Sequence, residues 1–363
     1  MSKYYSSKKI RKLGAIYNLI IGPRSNGKTY DWKENALNDK AKHNSRCAYI
    51  RRYDTEIAPK NLASLFDSND IEKIFNGKWN AVDYKKHQFT LCIKVDGEIV
   101  ARDDEPFCDV YALNTWEASK GADRGAVSSI CFDEFMTRRA YLSDEFVIFQ
   151  NMLSSIIRDR EDVTIFMLAN TVNKYCPYFK EMGLHNVENM QPGDIELYTF
   201  GDSGLSVAVE MCSESKNIQQ VKKFYAFDNP QLEMITKGTW EVALYPHSPC
   251  EFTKKDVLKR FYILFNDKII AGDIVKTDEK FFIFYHPHTR RKPTNETWNE
   301  HLKNEILYLE QNDGYFLHQK YLGDAPTEYH KLIATMIRME REFYSDNQIG
   351  EIIRNWKQNS LKR

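Results

Sequence analysis

The sequence predicts an α/β fold built around a parallel sheet, and three short runs predict it. Residues 17–21 (YNLII) are apolar and open into Gly22, Pro23, Arg24, Ser25, Asn26, Gly27, Lys28 and Thr29. Residues 129–132 end on Asp133 and Glu134, and residues 164–169 end on Asn170 and Thr171. Short runs that are apolar at almost every position suit strands covered on both faces, as parallel strands are. Ligands of open α/β sheets bind at the carboxyl ends of such strands, and here each run delivers polar residues to that end.

Gly22 to Thr29 has the full GxxxxGK[ST] spacing between an expected strand and an expected helix. The loop amides and the start of the helix would surround phosphates, with Gly22 and Gly27 allowing a tight path and close approach. All eight residues, Gly22, Pro23, Arg24, Ser25, Asn26, Gly27, Lys28 and Thr29, are therefore candidate ATP-binding residues. Lys28 would reach the terminal phosphates and Thr29 would hold Mg2+. Asp133 would position the same metal ion, and Glu134 would polarise water. A small-molecule kinase needs no water-activating group, so this glutamate favours hydrolysis. Asn170, at the end of the third run, would either sense the γ-phosphate or simply end a strand.

Between these segments, residues 47–51 (CAYIR) read as a further strand, leading into Arg52 and Tyr53. Arg51 and Arg52 face a nucleotide or a neighbouring subunit, or else form local salt bridges. Residues 89–102 alternate on both sides of Asp96 and Gly97, a hairpin pattern. Arg158 and Arg160 lie on a helix-like approach to the third run. Being two apart, they do not share a helix face. One suits an arginine finger acting in trans, and local ion pairing accounts for both equally well.

The 363 residues carry 51 Lys plus Arg against 51 Asp plus Glu, so bulk charge gives no sign of nucleic acid. The seven cysteines contain no CxxC pair, which fits reduced thiols rather than a zinc site. No signal-like leader or bilayer-length apolar run is visible, so a soluble protein without a membrane partner is expected. The basic, tyrosine-bearing stretch at residues 3–12 is expected to be a solvated start rather than a docking arm. Irregular connections are expected near Gly193, Gly201 and Gly204, then a partly helical lid or linker. Residues 261–265, 269–275 and 281–285 read as antiparallel strands of a separate α+β domain, and residues 333–343 and 349–356 as helices. Asp267, Asp273 and His286 do not assemble a complete acidic metal cluster from sequence. Lys254, Lys255, Lys259 and Arg260, with Arg290, Arg291, Lys292, His286 and His288, suit a phosphate-facing surface or a soluble rim. From residue 245 onward there are 19 basic and 17 acidic residues, so any such footprint is patchy.

NLIIGPRSNGKTY around Lys28, YIRRY around Arg51 and Arg52, and SSICFDEF around Asp133 and Glu134 resemble one family. So do IIRDREDV around Arg158 and FMLANTV around Asn170. It is the DNA-packaging ATPase family of small tailed bacteriophages, in particular its phi29 group. The resemblance implies a P-loop additional-strand ATPase with Walker A and Walker B segments at 1–208. A lid or linker at 209–244 and a smaller α+β, degenerate ribonuclease H-like domain at 245–363 would follow. It implies a homo-oligomeric ring, usually a pentamer, that drives double-stranded viral DNA through the capsid portal into a preformed capsid. A packaging RNA is a further implied partner, and the implied setting is the host cytoplasm, transiently docked on the procapsid. By position, Lys28 and Thr29 take the phosphate and magnesium roles, Asp133 the metal role and Glu134 the water-activating role. Arg158 matches the trans finger, with Arg160 second. Lys120 falls where the family has another trans-acting basic residue, with Arg124 a competitor. Asp54 stands where the resembling motors have lysine, a departure that weakens that loop's match. The alternative functions are a helicase-like or DNA-transfer ATPase and a nucleotide-binding structural component.

Overall fold

Among the described residues ten strands build the larger sheet: β1 (Tyr17–Gly22), β2 (Arg46–Arg51), β3 (Ala81–Lys85), β4 (Gln88–Val95), β5 (Glu98–Arg102), β6 (Cys108–Ala112), β7 (Val127–Asp133), β8 (Thr164–Asn170), β9 (Ile195–Phe200) and β10 (Leu205–Met211). The structure, a computed structural model, describes residues 4–119, 127–137, 141–142, 144–171, 176–213, 245–265, 268–288, 307–310, 313–317 and 319–360. The strand order is β3-β4-β6-β2-β7-β8-β1-β10-β9, with β5 pairing β4. From β6 to β10 in that order every pairing is parallel. The antiparallel hairpins lie at the two ends. β1 and β6 are buried at every position, as expected for strands covered on both faces. The chain divides into two compact units, Met1–Arg138 with Asp144–Glu241, and Val242–Arg363 with Arg139–Ser143.

Among the described residues of the first unit the helices are α1 (Lys8–Arg11), α2 (Lys28–His43), α3 (Pro59–Leu62), α4 (Ile71–Ile74), α5 (Glu145–Ile157) and α6 (Pro177–Glu181). α2 starts where Gly27 turns at φ 94° and stops where Asn44 enters the left-handed region, with Lys40, Lys42 and His43 complementing its last turn. α5 buries Phe149, Met152, Leu153 and Ile156, and the Phe149 ring lies 5.2 Å from that of Phe132 on β7. A charged pair is buried in this unit. Arg52 donates from Nε and Nη2 to the two Glu145 carboxylate oxygens at 2.8 and 2.9 Å, and Tyr178 OH donates to the same carboxylate at 2.9 Å.

The second unit holds β11 (Val257–Phe265), β12 (Lys268–Lys276), β13 (Phe281–Pro287), β14 (Leu307–Leu309) and β15 (Glu342–Tyr344), in the order β14-β11-β12-β13-β15. β11 to β13 form an antiparallel meander, while β14 joins β11 and β15 joins β13 in parallel. Gly272 faces Phe261 in register, and a Cβ there would lie 2.4 Å from Phe261 Cζ, so glycine is required for the strands to close. Helices α7 (Glu328–Arg338) and α8 (Asn347–Ser360) bury apolar stripes that include Ile333, Met336, Ile352, Ile353 and Trp356. On β12, Asp273 accepts both arms of Arg260, at 2.6 and 2.7 Å, and lies 3.3 Å from His286 Nε2.

Several expectations change. Around Gly193, Gly201 and Gly204, where irregular connections are expected, the chain forms β9 and β10, and β10 pairs with β1. Gly201 and Gly204 serve the turn between them, both at positive φ. The large sheet runs to Met211, past the expected boundary at 208. The helix expected over 333–343 ends at Arg338, and Glu342–Tyr344 is an edge strand instead. Arg158 and Arg160 follow α5 rather than lying on it. The amino-terminal stretch is anchored with Ser7 and Ile10 buried, while Lys8, Lys9, Arg11 and Lys12 are exposed, as expected of a solvated start. Residues 214–244, which hold most of the expected linker, lie outside the described residues, as do Asp267, Arg290, Arg291 and Lys292. The described cysteines are all free and all but Cys250 are buried. Among the described residues no helix is long and apolar enough to cross a membrane.

Removing one member of the buried pair strands its partner's charge. Arg52→Met is expected to lower unfolding free energy by about 3–5 kcal/mol. The double variant Arg52→Met/Glu145→Met should be less destabilised than the single one in urea titration. A single variant as stable as the parent would contradict this. Asp273 gives a pH signature. Burial alone pushes its carboxyl up, but the hydrogen bonds and charges of Arg260 and then His286 outweigh it and hold it below its ordinary 3.8. A depressed carboxylate contributes stability above its unfolded pKa and loses it as pH falls through the folded value. The full chain should therefore lose more stability than Asp273→Asn on acidification from about pH 5 to about pH 3, measured by denaturant titration at each pH.

Candidate active site

The loops leaving β1, β7 and β8 meet at the carboxyl edge of the parallel strands, because β8 lies between the other two. Gly22 is in register with Asn170 on β8, and Asp133 with Leu168. Where β1 ends, the chain turns through Ser25 at φ 58° and Gly27 at φ 94° into α2. This path curls the loop around the Lys28 ammonium. Nζ donates to Gly22 O at 3.2 Å, to Pro23 O at 2.7 Å and to Asn170 Oδ1 at 3.3 Å. Lys28 is only 7% exposed, and burial pushes its pKa down, so its charged form lacks full solvation and favours an added anion.

Thr29 Oγ1 donates toward both Asp133 oxygens, at 3.3 and 3.2 Å, and Tyr49 OH donates to Asp133 Oδ2 at 2.7 Å. Burial and then Asp133 hold the Tyr49 hydroxyl well above its ordinary pKa, so it stays a donor. Glu134 sits at φ 59°, a conformation that costs a non-glycine residue about 1–2 kcal/mol. Two contacts offset that cost: Glu134 N donates to Asp133 Oδ1 at 3.1 Å and Arg52 Nη1 donates to Glu134 O at 3.1 Å. The turn aims the Glu134 side chain away from the strand and leaves it 51% exposed, against 11% for Asp133. Arg51 Nη2 donates to Glu134 Oε2 at 2.7 Å.

Ser25, Asn26, Gly27, Lys28, Thr29, Tyr30, Asp133, Glu134, Ala169 and Asn170 line one cavity of about 270 Å3. The site therefore combines a buried cation, hard oxygen donors on Thr29 and Asp133, and a half-exposed carboxylate. Such oxygens suit Mg2+. Gly22 and Pro23 are buried and Arg24 is exposed, and none of the three lines this cavity. Gly22 also lets β10 pass, since a Cβ there would sit 2.6 Å from Cys212 Cβ.

Arg51 and Arg52 both form local pairs, the first with Glu134 and Glu56, the second with Glu145. Arg160 satisfies carbonyls of its own chain, donating to Ile157, Val127 and Ile156 at 3.1, 2.5 and 2.6 Å. Val127 opens β7, whereas Asp133 closes it six residues along, so Arg160 lies about 20 Å from the cavity edge. Exposed Arg158 lies beside it, after the end of α5. Lys120 and Arg124 lie outside the described residues. Asp54 exchanges hydrogen bonds with Asn114, both at 2.9 Å. In the second unit no group of three metal-ligating side chains gathers among the described residues. Motif reading misses Tyr49, which holds Asp133, and Tyr30 and Ala169 in the lining. For Tyr49 a signal existed. Its signal was the two-residue period of β2, which puts Tyr49 and Arg51 on one face beside the end of β7.

A family model for the podovirus DNA encapsidation protein (Gp16) matches residues 1–219. The chain is 30% identical over 172 residues to the DNA packaging protein of Bacillus phage B103, covering 47% of this chain and 48% of that protein. It is 29% identical over 181 residues to the DNA packaging protein of Bacillus phage phi29, covering 49% of each. The chain thus spans about half the length of the curated relatives it matches. The solved structure of the Phi-28 gp11 DNA packaging motor superimposes with a TM-score of 0.50 at 16% identity, covering 100% of this chain and 99% of that one. That likeness concerns the fold alone. With the match covering more than half of its length, and with the loop of residues 22–29 and the Asp133–Glu134 pair inside the matched region, the chain belongs to the podovirus DNA encapsidation protein (Gp16) family.

Proposed function

We propose that this chain is the ATP-hydrolysing subunit of a motor that moves double-stranded viral DNA into a preformed capsid. The observation that carries the reading is the single cavity lined jointly by the phosphate loop, Asp133, Glu134 and Asn170. In it, Lys28 and the backbone of residues 22–29 hold the phosphates, and Thr29 and Asp133 hold Mg2+. The metal ion, when bound, neutralises charge on the β- and γ-phosphates. Glu134 accepts a proton from the attacking water, for which its exposure is suited, once Arg51 releases it. Asn170, hydrogen-bonded to Lys28, is the residue through which loss of the γ-phosphate is read by β8. The position of β8 between β1 and β7 supports the additional-strand class of P-loop ATPases.

Arg158 is the arginine finger in this reading. Arg160 has donors committed to its own chain, and both lie far from their own cavity, so a finger here serves a neighbour's site. Lys120 is the second basic group acting in trans. A shared site requires a ring, for which we infer a pentamer seated on the capsid portal, with a packaging RNA as a further contact. The setting is the host cytoplasm, transiently on the procapsid. The meander β11–β13 with β14 added parallel to β11 supports a ribonuclease H-like second domain. With Asp273 engaged by Arg260, we read that domain as facing nucleic acid or portal rather than cleaving DNA. DNA is held mainly through its backbone, since a motor must pass every sequence.

A defined assay with capsids and DNA tests the reading. ATP-dependent protection of DNA from nuclease should appear with the parent chain and vanish with Glu134→Gln. Mixing Glu134→Gln with Arg158→Ala subunits should restore part of the turnover that each lacks alone. Strand separation without uptake would instead indicate a helicase, and absence of complementation would overturn the shared site.

A further inference from the structure

The amino-terminal arm is tied to the phosphate loop by contacts that the hydrolytic reading does not use. Tyr5 N donates to Asn26 O at 3.0 Å, in the loop itself. Tyr5 OH donates to Glu210 Oε2 on β10 at 2.7 Å, and Ser7 N donates to Asp31 Oδ2 on α2 at 3.1 Å. Burial pushes the Asp31 and Glu210 carboxyls up, so each gains from a donor that the arm brings. These anchors on loop, strand and helix fix the residue that precedes them. Tyr4 lies against Gly27, where an added Cβ would come within 3.2 Å of Tyr4 Cβ. Its ring centroid is 6.2 Å from that of Tyr30, with the planes 33° apart.

Tyr30 immediately follows Thr29 and lines the cavity, whereas Tyr4, 50% exposed, is not itself in the lining but packs against Gly27 and Tyr30, which are. A half-exposed ring held in place beside the cavity presents a flat face that a second ring can cover. It is what a nucleobase needs, because every base has a π-face and stacks without a donor code. We propose that Tyr4 and Tyr30 form the base-stacking platform of this site, the subsite for the adenine ring of ATP. The inference rests on the reading of the cavity as a nucleotide site and adds the part that recognises something other than phosphate. Tyr5 is a positioning residue in this scheme, since it anchors the arm without facing the base. Stacking makes the platform tolerant among purines and leaves inorganic triphosphate untouched.

Equilibrium binding of MgATP and of magnesium triphosphate to the full chain separates the possibilities. Tyr4→Ala should weaken ATP roughly tenfold, as expected for one lost base stack, with triphosphate unchanged and Tyr4→Phe like the parent. Tyr4→Trp should show fluorescence quenching with ATP and none with triphosphate. Equal affinity of Tyr4→Ala and the parent for ATP would overturn the platform. So would equal weakening of both ligands, which would make the arm a brace for the loop. A parent chain that binds triphosphate as tightly as ATP would overturn the platform and leave the phosphate site standing. A parent that binds neither would remove both.

Discussion

An ammonium group held almost out of water must have oxygens around it, and Lys28 imposes that condition on the first unit. Its partners come from two places: carbonyls of Gly22 and Pro23 in its own loop, and Asn170 from the neighbouring strand. The carbonyls are within reach only because the loop curls through Ser25 and Gly27 at positive φ. Asn170 is within reach only because β8 runs beside β1 with Gly22 and Asn170 in register. One side chain thus depends on a loop conformation and on a strand order together. The same burial that strains its charge makes an added anion a favourable partner, polyphosphate on the proposed reading.

A graded set of charges extends outward from that point. Arg52 and Glu145 lie almost wholly buried, and Arg52 also takes the carbonyls of Glu134 and Phe135, which fixes the turn after β7. Asp133 is mostly buried and accepts Thr29 and Tyr49, whereas Glu134 is half in water and meets Arg51. A cation ligand benefits from a fixed, shielded carboxylate, while a base must meet water and exchange its proton. On the proposed reading, adjacent residues receive those different environments because the chain leaves the strand between them. The amino-terminal arm completes the arrangement from the other side of the loop.

What the sequence made legible was the chemistry at strand ends. β1, β7 and β8 carry short apolar runs, residues 19–21, 130–132 and 165–169, that stop at Gly22, Asp133 and Asn170, and the β4–β5 hairpin has Asp96 and Gly97 at its turn. β9 and β10 were hidden for a physical reason. An edge strand such as ELYTF is half polar, and Glu210 interrupts β10 because it faces Tyr5. β15 is three residues long and directly follows a helix, so its apolar residues continue the helical pattern. The partners of Arg51, Arg52 and Arg160 depend on neighbours distant in sequence, which no spacing along the chain reveals. Tyr49 needed only the strand's two-residue period and knowledge of which strand lay beside β2.

The most direct measurement is paired binding and turnover of MgATP by the full chain carrying Lys28→Ala or Glu134→Gln. If Lys28 organises binding and Glu134 only the chemistry, Lys28→Ala loses nucleotide binding, whereas Glu134→Gln keeps the parent's affinity and loses hydrolysis by about 100-fold or more. Undiminished hydrolysis in Glu134→Gln, or undiminished binding in Lys28→Ala, would contradict the account.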